Sequence, residues 1–79
     1  MGDDLLELKE KREVSREEAA ARLHAIADEL ASGNGVIFER DGLRIVGKVP
    51  DTVQLKVEFE VGSDETELEI ELTWPGLGG

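Results

Sequence analysis

The 79-residue chain contains no cysteine. That excludes a disulfide framework and any thiolate-held metal, and it suits a reducing compartment. Long apolar runs are missing too, and the longest falls far short of the roughly 20 residues a bilayer-spanning helix needs. The opening Met1-Gly2-Asp3-Asp4 lacks the basic start of a secretory signal. These absences lead to the expectation of a soluble, cytoplasmic protein. Positive charge is scarce: nine basic residues stand against nineteen acidic ones, for a net charge of −10 and a pI near 4.4. A surface of that sign repels phosphate backbones and anionic headgroups, so neither nucleic acid nor a membrane is an expected partner. It suits a basic protein partner or cations. Carboxylates in such excess over lysine also fit a salt-rich cytoplasm, where screening relieves self-repulsion, so a halophilic origin is a further expectation.

What the chain does have is clean periodicity. At roughly the lower size limit for a self-supporting core, it is expected to be one domain over residues 1–79, with 76–79 as a flexible tail. In EVSREEAAARLHAIADELASGNG, Ser15 followed three residues later by Glu18 makes a capping box, and Val14 can staple against Ala19. From there Ala19, Leu23, Ile26 and Leu30 recur at helical spacing with alanines alongside, and Gly33 or Gly35 supplies the left-handed stop. Glu18 and Arg22 are spaced for an i,i+4 ion pair.

The segment VIFERDGLRIV predicts a hairpin, because Asp41-Gly42 is a two-residue type I′ turn sequence. Counting from that turn pairs Glu39 with Arg44 and Phe38 with Ile45. Pro50-Asp51 marks a connection. After it, Val53, Leu55, Val57, Phe59 and Val61 alternate with polar residues, and so do Leu68, Ile70, Leu72 and Trp74. A four-residue loop at 62–65 pairs Phe59 with Leu68, Val57 with Ile70 and Leu55 with Leu72. The same register sets Glu58 against Glu69 and Glu60 against Glu67, where like charges are unfavourable. The N-terminal DDLLELKEKRE reads as an edge strand or as the start of a helix, and the strand is favoured because the helix entry at Val14-Ser15 is abrupt.

Together these elements predict an α+β fold, in the order β-α-β-β-β-β. One amphipathic helix packs on one face of a mostly antiparallel sheet of four or five strands. The expected core comprises Leu23, Ile26, Leu30, Phe38, Ile45, Leu55, Val57, Phe59, Leu68, Ile70, Leu72 and Trp74.

Ser15-Arg16-Glu17-Glu18-Ala19-Ala20, then Leu23, Ile26-Ala27, Leu30, Gly33, Val49-Pro50-Asp51 and Trp74, carry a resemblance to the amphi-Trp domain family. These are small prokaryotic domains named for amphipathic strands and a tryptophan near the end. The resemblance spans roughly residues 8 to 75 and leaves out the tail from Pro75. It implies one domain and a role for Trp74, but no reaction, catalytic residue or cofactor.

Candidate interaction residues are Trp74, either a cap on the core or a docking side chain, and the outward carboxylates Glu58, Glu60, Glu67, Glu69 and Glu71. Oxygen ligands of that kind suit Ca²⁺ or Mg²⁺, yet no loop has the ligand spacing of a dedicated calcium site. The only histidine, His24, lies off the apolar stripe, and Ser15, Ser32 and Ser63 have cap and turn explanations. No enzyme is expected. The leading functional expectation is a non-catalytic binding or adaptor module acting through its acidic sheet face or a sheet edge. The alternative is a carboxylate-based divalent-cation-binding protein. Gly78-Gly79 raises the thought of a conjugation tail, as any such ending would.

Overall fold

A computed structural model describes residues 6–33 and 35–76. In chain order it contains helix α1 (Arg16–Ser32) and strands β1 (Val36–Arg40), β2 (Leu43–Gly47), β3 (Gln54–Val61) and β4 (Thr66–Thr73). The α+β class and the antiparallel pairing of all four strands are as the sequence predicts. The strands bond as two separate two-stranded ribbons, β1–β2 and β3–β4. Side-chain alternation specifies which strands pair within a hairpin, but says nothing about which hairpin edges join. The chain divides into two compact units, Met1–Lys48 and Val49–Gly79. Among the described residues no helix is long and apolar enough to cross a membrane.

In the first unit α1 begins with the full capping box. The Ser15 hydroxyl accepts from the Glu18 N–H, and the Glu18 carboxylate accepts from the Ser15 N–H, both at 3.0 Å. Gly33 ends the helix in the left-handed conformation and donates its N–H to the Leu30 carbonyl. The expected N-terminal strand is absent from the described residues. Leu6–Ser15 forms neither helix nor strand, and Met1–Leu5 lie outside the described residues. This segment is tied to the helix by side chains: Glu10 accepts from the Nε of Arg12 and of Arg22, each at 3.1 Å.

Residues Asp41 and Gly42 both have positive φ, 53° and 77°, as a type I′ turn requires, and the β1–β2 register is the predicted one, with Glu39 opposite Arg44. Helix α1 packs on β1. Its half-buried side runs through Ala19, Arg22, Ile26, Glu29 and Leu30, while Leu23 is 46% exposed. That stripe is rotated from the expected Leu23-Ile26-Leu30 line because two charged side chains reach back to β1. Glu29 Oε1 accepts from the Ile37 N–H at 2.9 Å, and the Arg22 guanidinium lies 5.8 Å from the Phe38 ring centroid.

In the second unit β3 and β4 pair over their whole length in the predicted register, from Gln54 opposite Thr73 to Val61 opposite Thr66. Gly62 N–H donates to the Glu65 carbonyl at 2.9 Å and closes the predicted loop.

The expected core requires correction. Among the described residues no hydrophobic side chain is buried, and Val57, Phe59 and Leu68 are 60 to 69% exposed. The physical reason lies in the layering. A two-stranded ribbon has nothing of its own to lay across its face, and alternation identifies the apolar face without naming its cover.

Candidate functional site

The candidate surface is the polar face of the β3–β4 ribbon. Strand alternation sets Lys56, Glu58 and Glu60 of β3 on one side, and the register adds Glu71, Glu69 and Glu67 of β4 directly opposite them. The structure thus brings together all five predicted carboxylates. It also supplies an organiser that the sequence reading passed over. Lys56 is the only basic residue after Lys48, and its Nζ lies 3.3 Å from Glu58 Oε1 and 3.7 Å from Glu69 Oε1. The predicted Glu58/Glu69 repulsion is therefore bridged by a shared cation. Glu58 raises the Lys56 pKa above the ordinary lysine value, with help from Glu69 and Glu71. The Lys56, Glu58 and Glu69 side chains keep 42 to 55% of their surface accessible, so each pair contributes little to stability.

Glu60 and Glu67 remain face to face, and their own unit offers no second cation to separate them. They line a groove at the loop end of the ribbon with Gly62, Ser63, Asp64 and Glu65. Among the described residues no three acidic or histidine side chains converge as a metal site would require. The ladder spaces its carboxylates along the strands, and they splay toward solvent.

Trp74 follows directly after β4 and is 37% exposed. With Thr52, Val53, Gln54, Thr73 and Pro75 it lines a shallow groove at the opposite end of the ribbon from Glu60 and Glu67. It shares neither the carboxylate face nor its groove. Strand parity instead places it in phase with Leu68, Ile70 and Leu72.

In the first unit, a cleft of about 590 Å³ lies between the N-terminal segment and α1, with Leu8, Leu23, Ile26 and Phe38 among its walls. Arg22 spans it. The expected Glu18–Arg22 pair does not form, because the capping box turns the Glu18 carboxylate back to the helix start and leaves Arg22 to Glu10. Arg22, then Arg12, holds the Glu10 carboxyl below the ordinary glutamate value, and the Ser15 N–H and hydroxyl do the same for Glu18. His24 is exposed on α1. The Ser15 hydroxyl is engaged in the cap, and the Ser32 hydroxyl donates to the Glu29 carbonyl at 2.8 Å.

A sequence-level signal existed for Lys56, a lone cation on a face of glutamates. None existed for Glu10, whose partner lies twelve positions away.

No curated protein and no solved structure matches this chain. The family model of the Amphi-Trp domain does, over residues 1–77. That span takes in the capped helix, both hairpins and the tryptophan after β4, so the chain belongs to the Amphi-Trp domain family.

Proposed function

We propose that this protein is a small non-catalytic binding module whose working surface is the carboxylate face of β3–β4, and that its partner is a basic protein. One observation supports the reading most directly. The register gathers Glu58, Glu60, Glu67, Glu69 and Glu71 on one exposed face with Lys56 as that face's only cation. Such a face draws in positive charge over a Debye length, about 8 Å at physiological salt, and the attraction weakens as salt rises. The non-catalytic part of the reading is supported by the surroundings of the chemistry-bearing side chains. His24 is exposed, and the Ser15 and Ser32 hydroxyls are bonded to helix backbone. A cytoplasmic setting fits the absence of cysteine.

The test is a titration of the isotope-labelled full chain with a lysine-rich peptide, followed by backbone amide shifts. Expected are saturable shifts confined to Glu58–Glu71, weakened by salt and lost in E60Q/E67Q/E69Q. Shifts spread evenly over the chain, or none at millimolar peptide, would end the proposal.

A further inference from the structure

The Gly62–Glu65 bond fixes the parity of the ladder. Gly62 N–H bonds across to Glu65, so in the unbroken register the even-numbered residues of β3 exchange bonds with β4. Leu55, Val57, Phe59 and Val61 consequently turn their N–H and C=O groups to the outer edge of β3. Among the described residues no strand pairs there. Of the usual edge protections Gln54–Val61 has charged side chains, Lys56, Glu58 and Glu60, but it contains no proline and its register has no bulge.

A strand edge that pairs with its own copy must satisfy its own sequence. Setting β3 antiparallel to itself about Val57 opposes Leu55 to Phe59, Lys56 to Glu58 and Gln54 to Glu60. The first pair is apolar, the second is of opposite charge, and in the third an amide can donate to a carboxylate. Every apolar side chain falls on one face. Other two-fold centres are worse: Lys56 and Glu58 would each oppose themselves, centring on Phe59 opposes Glu58 to Glu60, and centring on Leu55 overlaps only the end of the strand, Gln54–Lys56. Strand β4 fails in its long registers, because centring on Leu68 opposes Glu67 to Glu69 and centring on Ile70 opposes Glu69 to Glu71, while centring on Leu72 overlaps only the end of the strand, Glu71–Thr73. A β3-to-β4 contact between copies is heterologous and would build a ring or a fibre, not a two-fold dimer.

We infer that the outer edge of β3 pairs with the same edge of a second copy of this chain, antiparallel about Val57, joining two β3–β4 ribbons into one four-stranded sheet. This gives each ribbon the extra strands that a two-stranded hairpin needs for independent stability. It also lays Glu58 of each copy beside Lys56 of the other. The inference concerns the edge, not the carboxylate face, and a failure of either leaves the other standing.

Sedimentation of the full chain over a concentration series, in low and molar KCl, tests it. Expected is a monomer–dimer equilibrium that tightens with salt, since two chains of net charge −10 repel until screened. V57P removes an N–H that β4 does not use, and should sediment as a monomer with its circular dichroism retained. K56E should weaken the dimer roughly tenfold by placing like charges opposite each other twice, and K56E/E58K should restore it. A wild-type monomer at millimolar concentration in molar KCl would overturn the inference, as would a V57P dimer as tight as wild type. Should V57P not fold, a K56E/E58K chain no tighter than K56E would overturn it.

Discussion

Ser15 does two jobs at one helix end: its hydroxyl accepts from Glu18 N–H, and its own N–H is taken by the Glu18 carboxylate. Ser15→Ala should cost about 1 kcal/mol in urea-induced unfolding. The pH dependence follows from the lowered Glu18 pKa. A carboxyl depressed by folding contributes stability above its ordinary value and loses that contribution as pH falls through the depressed one. The difference between wild type and Glu18→Gln should therefore hold steady at neutral pH and narrow in acid; a constant difference down to pH 2 would contradict the carboxylate half of the capping box. Gly35 is the second position where one residue decides much. Its φ is +90°, and an added Cβ would stand 2.5 Å from the Gly47 carbonyl oxygen, a backbone atom that cannot swing aside. Gly35→Ala should destabilise by roughly 2 kcal/mol or more, read as a fall in the denaturant midpoint.

Between elements, a charged side chain does what an apolar contact was expected to do. Glu29 reaches from α1 to the Ile37 N–H on the open edge of β1 and occupies a donor that the β1–β2 ladder leaves outward. Removing it orphans that part-buried donor. Glu29→Ala should cost about 1 kcal/mol and abolish hydrogen-exchange protection at Ile37, whereas Glu29→Gln, which keeps an acceptor, should preserve most of both. In the β3–β4 ribbon, Lys56 plays the joining part. Its pKa is raised by Glu58 first, then by Glu69 and Glu71. A raised lysine contributes fully below its ordinary value and stops contributing as pH climbs through the raised one. Lys56→Met should flatten the alkaline limb of ribbon stability and steepen its salt dependence, because Glu58 and Glu69 then face each other unbridged. Amide exchange in Gln54–Thr73 across pH and KCl would report both effects.

At the scale of the whole molecule, a charge of −10 on 79 residues makes salt a variable of stability. Screening of Glu60 against Glu67, and of the remaining carboxylates, should raise the thermal midpoint steadily from dilute buffer to molar KCl. A midpoint indifferent to salt would remove the halophilic explanation of the composition. The Trp74 groove and the carboxylate groove lie at opposite ends of the ribbon. A partner held by the acidic face should therefore leave tryptophan fluorescence unchanged.

Local order was legible because each device is written within a few neighbouring residues. Ser15-to-Glu18 is one helical turn, Asp41-Gly42 is one hairpin turn, and the loop at 62–65 sets a register in which a slip of one would oppose leucines to glutamates. These contacts are close in sequence, so periodicity and turn chemistry suffice to place them. Glu10 on Arg22 and Glu29 on Ile37 were illegible, since nothing in their neighbours marks a partner eight or twelve positions away. The N-terminal segment showed the same limit: its alternating charges suit a strand, but the tie to Arg22 holds it against α1 with no ladder. By itself the sequence determined the helix, its caps, two hairpins and the face on which every carboxylate of the second stands. Only the tertiary structure decided that the four strands pair two by two, and that α1 meets β1 through Arg22 and Glu29. Periodicity encodes which side of an element is apolar, whereas what lies across from that side depends on contacts between segments that the chain brings together only on folding.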